Sequence, residues 1–332
     1  MKKLVAGIDI GTAVTSYALV DEFGKIYTYG QLPTEEYKDF DTFITALKDE
    51  INALSNLLEF PHKIEAIGIG APNGNYYTGE INNAANLVWK GKLPIAKQLS
   101  ALFKNIPTVL TNDANAAAIG EMIYGGAKNR KNFVVITLDT GLGSGIVVDG
   151  HVVYGHDGAA GELGHVKIAN DSTRACGCGR SGCLETFVSI KGLKLTVLEL
   201  IKENKLSSKL SSIAEEEITF EQILKAVKSG DALAKEAFNI TGAILGEALA
   251  NLVALTAPDY IFISGPMSKA GEFIIKPARK ALEDNLMNIW KGKVNLLPSV
   301  LDTEKAPILG AAALAIKEIQ KRSQSVGIRK VI

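Results

Sequence analysis

All three cysteines of this chain, Cys176, Cys178 and Cys183, fall in one glycine-dense stretch, Cys-Gly-Cys-Gly-Arg-Ser-Gly-Cys, and His165 lies shortly upstream in Gly-Glu-Leu-Gly-His. Three thiolates and an imidazole are the donor set of a closed tetrahedral zinc site, and Gly177, Gly179 and Gly182 let a short backbone fold around an ion. The competing readings are a strained Cys176–Cys178 disulfide and three unrelated structural thiols. An odd cysteine count argues against a disulfide framework, and the clustering of every cysteine argues against coincidence. Glu162 and Glu185 bracket the stretch. Tied to a rigid metal knot they would be fixed acceptors for a polyol such as a sugar; otherwise they are two solvated carboxylates.

Aspartates recur where strand-like runs end. Asp9-Ile10-Gly11-Thr12 closes the apolar run Leu4 to Ile10, and Asp139-Thr140-Gly141 follows the apolar run from Asn132 to Leu138. Such a turn offers backbone amides and a hydroxyl to a phosphate and its metal ion, although any tight turn needs glycine for steric reasons alone. The second copy strengthens the phosphate reading, because two strand-turn-strand units in one chain point to two related halves. Asp113, in Thr111-Asn112-Asp113, sits between a short strand and an alanine-rich helix. It reads equally as a helix cap and as a general base at a strand end. Gly265-Pro266 after the strand Tyr260 to Ser264 suits a nucleotide base or ribose, or a simple turn. Asn86 and Trp89 lie in a loop where they could meet a sugar or merely pack.

The elements that must position these residues alternate in period. Strands are expected over Leu4–Ile10, Ser16–Asp21, Ile64–Gly70, Thr108–Leu110, Asn132–Leu138, Ile146–Val148 and Tyr260–Ser264, with 139–145 as the second turn. Helical spacing runs over Asp41–Leu58, from Asp113 toward Tyr124, in a charged region from Ser189 to Ser229 entered again near Thr219, over Ala232–Thr256, from about Ala270, and over Pro307–Lys321. The tail from Ser323 shows no clear period. At 332 residues the chain suits two domains. We expect one from 1–113 plus 305–332 and the other from 114–304, the latter carrying the cysteine loop.

Thirty-six basic and thirty-six acidic residues cancel. That balance leaves no electrostatic footprint for nucleic acid or an anionic membrane, so a small substrate is expected. The apolar stretch Ala237 to Leu255 is interrupted by Glu247 and Asn251 and reads as a buried helix, and no leader pattern follows Met1, so the cytoplasm is the expected compartment.

These pieces, in this order, resemble the ROK family of sugar kinases, from Asp9 to about Ala315. Glu162-Leu163-Gly164-His165 and the cysteine loop through Glu185 carry the resemblance most specifically. Asn112-Asp113, the stretch Leu138 to Gly150, Asn86-Leu87 with Trp89, and Pro307-Ile308-Leu309-Gly310-Ala311 extend it. The resemblance implies a two-domain α/β fold of the actin-like ATPase (ribonuclease H-like) type with a cleft between the domains. It also implies phosphoryl transfer from ATP with Mg2+ to the 6-hydroxyl of a hexose, and a structural Zn2+ held by His165, Cys176, Cys178 and Cys183. Asp113 would be the general base, and Asn86, Asn112, Asp113, Glu162, His165 and Glu185 would hold the sugar. Asp9, Gly11, Thr12, Thr140, Gly141 and Gly265 would hold the nucleotide and its magnesium, and a homodimer or homotetramer is implied. The first phosphate loop departs from the family's Asp-x-Gly-Gly-Thr, because Gly11 is followed by Thr12, Ala13 and Val14, and Gly265-Pro266 replaces a run of glycines. Glucose is the first expected substrate, with N-acetylmannosamine, N-acetylglucosamine, fructose and allose behind it. The rivals are a sugar-sensing regulator, for which Asp9 leaves no room for a preceding DNA-binding domain, and a sugar-binding protein with a disabled ATP site.

Overall fold

The computed structural model describes residues 1–84 and 86–329, with side chains described through 323. In chain order the elements are β1 (Lys2–Ile10), β2 (Val14–Val20), β3 (Ile26–Pro33), α1 (Phe40–Asn56), β4 (His62–Gly70), β5 (Ile81–Asn82), β6 (Lys92–Leu93), α2 (Ile95–Leu102), β7 (Thr108–Thr111) and α3 (Asp113–Ile123). They continue with β8 (Phe133–Leu138), β9 (Leu142–Val148), β10 (His151–Val152), α4 (Ile190–Glu203), α5 (Phe220–Lys228), α6 (Ala232–Thr256), β11 (Tyr260–Ser264), α7 (Glu272–Asn285), β12 (Asn295–Pro298) and α8 (Ala306–Arg329). Two compact units result, one from Met1–Arg130, His151–Gly161 and Val300–Ile332, the other from Lys131–Gly150 and Glu162–Ser299.

The first unit is built on a sheet of order β3-β2-β1-β4-β7, antiparallel through β1 and parallel beyond it. Alternation along β1 assigns its two faces. Leu4, Ala6, Ile8 and Ile10 enter the core shared with Phe43, Leu47 and Ile51 of α1 and Leu99 of α2, while Val5 joins Ile308, Ala312 and Ala315 of α8. A sheet buried on both faces explains why its central strands read as near-continuous apolar runs. At Gly68 on β4 the backbone of α8 comes so close that a Cβ would lie 1.9 Å from the Ala311 carbonyl oxygen, so only glycine allows this approach. Ile119 of α3 packs with Ala313 and Leu314 of α8, which keeps α3 in this unit.

The second unit repeats the pattern with β9 antiparallel to β8, and β11 parallel to both β8 and β12. Its core joins Val134, Ile136 and Leu138 of β8 to Leu193 and Val197 of α4, Phe238, Leu245 and Leu249 of α6, and Ile274 and Ala278 of α7. By length and composition α6 could cross a membrane. In the structure its Phe238, Leu245, Leu249 and Leu252 are buried in this core, as expected for the stretch carrying Glu247.

Beyond shifts of a few residues at element ends, three elements differ from the sequence expectation. The second turn is confined to 139–141, because Gly143 and Gly145 pair with Thr137 and Val135 as part of β9. The region from Ser189 to Ser229 resolves into α4 and α5 joined by short 3-10 turns, with Thr219 and Gln222 forming a capping box at the start of α5. Finally, α8 continues past Ser323 to Arg329.

Candidate functional site

In the first unit the parallel strands β1, β4 and β7 end together, with Asp9 opposite Gly70 and Gly70 opposite Thr111. Ligands of open α/β sheets collect at such carboxyl ends. The point a Cβ on Gly70 would occupy is 3.7 Å from Asp9 Oδ1 and 3.8 Å from Asp113 Cα, so the two aspartates flank one glycine. Asn112 is the N-cap of α3, its Oδ1 accepting from the Ala114 amide at 2.9 Å. The cap expected at this strand end is therefore Asn112, one residue before the candidate base. Asp113 is exposed, and its Oδ1 accepts the same amide at 2.8 Å, which fixes the aim of the carboxylate.

The turn from Gly11 to Val14 closes through the Gly11 amide donating to the Val14 carbonyl at 3.0 Å, and a Cβ on Gly11 would lie 2.6 Å from that oxygen. Thr12 stands exposed at its apex. Asn86 is exposed on the loop between β5 and β6. Trp89 is not a sugar-facing ring: it is 5% exposed, packs on Phe40 and Phe43, and donates from Nε1 to the Tyr37 carbonyl at 2.9 Å. An indole whose N–H finds a backbone acceptor inside a core is fully explained as packing.

In the second unit His165, Cys176, Cys178 and Cys183 bring one donor atom each to within 4.8 Å of one another. His165 Nδ1 lies 3.4 Å from Cys176 Sγ, and Cys178 Sγ lies 3.7 Å from Cys183 Sγ. A tetrahedron with metal–sulfur bonds of about 2.3 Å has sulfur–sulfur edges of about 3.8 Å, so the donors already stand at the spacing zinc requires. The cysteines are free, which removes the Cys176–Cys178 disulfide as a reading. The other imidazole nitrogen, Nε2, points toward Glu162 Oε2 at 3.8 Å.

The thiols differ in protonation. Arg180, donating to Cys178 Sγ at 3.4 Å, lowers that thiol to about 6, whereas burial pushes Cys176 up to about 12 and also raises Cys183. One thiolate is thus ready beside two protonated neighbours, and a divalent cation would displace the remaining protons. Sequence reasoning passed over Arg180 and also over Arg174, which fastens the loop to α4. Arg174 donates to Glu199, Thr196 Oγ1 and the Thr186 carbonyl and lies 4.4 Å from the Phe187 ring centre. An arginine next to a thiol cluster is the signal that could have found the first; nothing local marks the second.

The turn Asp139–Gly141 lies beside this loop. Glu185 Oε2 accepts from the Leu142 amide at 3.0 Å, and the Thr140 amide donates to Asp139 Oδ1 at 2.7 Å. Gly265, at φ +86°, sits over the end of β8, where a Cβ would be 2.6 Å from the Leu138 carbonyl oxygen. The structure therefore gathers Thr140, Gly141, Gly265, Glu162, Glu185 and the four metal donors in one unit, and Asp9, Gly11, Thr12, Asn86, Asn112 and Asp113 in the other.

Known proteins resemble this chain over most of its length. The glucokinase of Halalkalibacterium halodurans is 34% identical over 284 residues, 83% of this chain and 84% of that protein. The crystal structure of a ROK family glucokinase from Streptomyces griseus, in complex with glucose and AMPPNP, superposes with a TM-score of 0.80 at 28% identity, covering 95% of this chain and 99% of that one. A ROK family transcriptional regulator, a homolog of the E. coli MLC protein, superposes with a TM-score of 0.84 at 27% identity, covering 94% of this chain and 78% of that one. The fold is that of the actin-like ATPases, two mixed α/β units each built on a sheet with an antiparallel hairpin and parallel strands. With residues 5–318 matching the ROK family, the chain belongs to that family.

Proposed function

We propose that this chain is an ATP-dependent hexose kinase that transfers the γ-phosphoryl group of ATP to the 6-hydroxyl of a hexose, glucose first. The observation that carries the reading is the pair Asp9 and Asp113 beside Gly70, at the carboxyl ends of parallel strands. Asp113 accepts the proton of the attacking hydroxyl as the oxygen bonds to phosphorus, and the bond to the bridging oxygen breaks to release ADP. Its pinned and exposed carboxylate suits a base that must meet one particular hydroxyl. Asp9 would hold the hydrated magnesium; when bound, that ion neutralises charge on the transferring group. The amides around Thr12 and around Gly141 would meet phosphate oxygens, and Gly265, whose backbone sits against the Leu138 carbonyl, would lie near the adenosine.

Zinc fits the Cys3His donor set and would be held by His165 Nδ1, Cys176, Cys178 and Cys183. That leaves His165 Nε2, with Glu162 and Glu185, to meet sugar hydroxyls, so the metal sets the tautomer of a recognition group. Asn112 and Asn86 supply further polar contacts. We place the enzyme in the cytoplasm as a homodimer or homotetramer.

The test is Asp113→Asn. Hexose binding should persist while kcat falls by about 10²- to 10⁴-fold; near-normal turnover would remove Asp113 from the role. ADP release across glucose, N-acetylglucosamine, N-acetylmannosamine, fructose and allose would name the substrate. The likeness to a transcriptional regulator favours a second reading, a sugar sensor without kinase activity. Hexose binding without ADP release from any sugar on the panel would select that reading.

A further inference from the structure

Glu185 is placed to do more than meet a sugar hydroxyl. Its Oε2 accepts the amide of Leu142, the first residue of β9, at 3.0 Å, and its Oε1 lies 3.7 Å from Cys176 Sγ. One carboxylate thus touches both the turn Asp139–Gly141 and a metal donor. Space around it is closed: a Cβ on Gly141 would stand 2.3 Å from Glu185 Oε2 and 3.2 Å from its carboxyl carbon. A Cβ on Gly164, one residue before His165, would stand 2.3 Å from the Leu142 carbonyl oxygen and 3.5 Å from Glu185 Cβ. Leu142 is buried, and Glu185 supplies the acceptor for its amide.

We infer that Glu185 is a positioning residue for the phosphate turn as well as an acceptor for the sugar, so that the metal loop and the Asp139–Leu142 turn are mechanically one piece. The sugar and phosphate roles rest on the hexose-kinase reading; the link between loop and turn rests on the Glu185–Leu142 bond alone. A charged acceptor on a backbone amide is stronger than a neutral one and fixes the amide's direction. The turn that must aim its amides at phosphate therefore takes its shape from a side chain anchored two residues after Cys183. The reverse also holds, because whatever displaces the carboxylate at Gly141 moves a sugar acceptor.

Two variants separate the roles. Glu185→Ala removes the acceptor from Leu142, whereas Glu185→Gln keeps a carbonyl oxygen for that amide and loses the charge. Zinc content is measured in each, so that loss of metal is recognised as such. In the substrate-free protein, hydrogen exchange at Leu142 should accelerate about tenfold or more in Glu185→Ala, and AMPPNP affinity measured without sugar should weaken about tenfold. Glu185→Gln, which keeps the oxygen and loses the charge, should fall between Glu185→Ala and wild type in both. Zinc-loaded Glu185→Ala with Leu142 exchange at the wild-type rate, or with unchanged AMPPNP affinity in a protein that binds AMPPNP, overturns the inference. The exchange arm needs no turnover and no sugar, so it decides the matter even if the kinase reading fails.

Gly141→Ala supplies the converse. Its methyl group displaces Glu185 Oε2, and glucose affinity measured without nucleotide should fall about tenfold although Gly141 belongs to the phosphate turn. Unchanged glucose affinity there, in a protein that binds glucose, overturns the coupling.

Discussion

The two hairpin turns do the same geometrical job in their sheets, yet they are held by different means. The turn at Gly11 to Val14 closes on itself through the Gly11 amide and the Val14 carbonyl, and it is braced from just beyond the edge strand β3, where the Thr34 amide donates to the Ala13 carbonyl and Thr15 and Thr34 share a hydroxyl contact at 2.8 Å. The turn at Asp139 to Gly141 is tied from the far side of the metal loop. Glu185 accepts from Leu142, and the Ile190 amide donates to the Asp139 carbonyl at 2.8 Å. One turn is self-sufficient; the other borrows its shape. Damage to the metal knot should therefore travel to the second turn and spare the first.

Cysteine 183 offers the largest test of that contrast. It is fully buried, and a ligand replaced there leaves three donors for an ion that structural sites hold with four. Cys183→Ser, or stripping the wild-type protein with a chelator, should abolish the expected one zinc per chain and lower the melting temperature by about 5 °C or more. Hydrogen exchange should then rise at Leu142 and across 172–186 while the Gly11 amide keeps its protection. Equal acceleration at both turns would break the comparison.

Gly11→Ala attacks the other turn, with a smaller effect. Its Cβ would meet a backbone oxygen, which yields less readily than a side chain, at a cost of about 1–3 kcal/mol. The expected kinetic signature is an ATP KM raised about tenfold with hexose affinity unchanged. Because Thr12 to Val14 already depart from the family pattern, an ATP KM that does not move would mean that this turn has ceded its phosphate contacts.

How far the sequence revealed all this depended on whether the cause was local. The metal donors were legible because Cys176, Cys178 and Cys183 sit within eight residues of chain and their chemistry is specific. Strand ends such as Ile10 and Ser264 were legible because an apolar run stops at a glycine. Trp89 stayed undecided, because an aromatic beside Asn86 looks the same whether its ring meets a sugar or Phe43; only its long-range partner, the Tyr37 carbonyl, decides. Gly143 and Gly145 read as turn because glycine is permissive, whereas their pairing with β8 is a property of the partner strand. Arg174 and the Glu185–Leu142 bond join segments tens of residues apart, and no local pattern encodes them. The compact units likewise follow from the packing of α3 on α8, which brings residues up to Arg130 into the first unit.

The smallest predicted effect lies at the opposite end of the first sheet, where the turn between β2 and β3 is built around Asp21 and takes no part in the chemistry. Its carboxylate is buried, with Oδ1 accepting from the Phe23 and Lys25 amides at 3.0 Å each and Oδ2 near the Tyr27 hydroxyl at 3.2 Å and Lys2 Nζ at 3.3 Å. Burial alone would raise its pKa, but the Lys25 and Phe23 amides and the Lys2 ammonium outweigh it and hold the group below 3.8. A folded pKa below the unfolded one gives stability that is fully present above the unfolded value and fades as pH falls through the folded one. Asp21→Asn keeps an oxygen for the amides but loses the charge, so it should destabilise by about 1–2 kcal/mol at neutral pH. The gap between wild type and variant should be constant above about pH 5 and shrink below about pH 4. Denaturant unfolding at a series of pH values reads this directly, and kcat/KM at pH 7 should stay within about twofold of wild type. A large kinetic defect in Asp21→Asn would mean that strain at this distal turn reaches Asp9 along β1, and the self-sufficiency claimed for the Gly11 turn would fail.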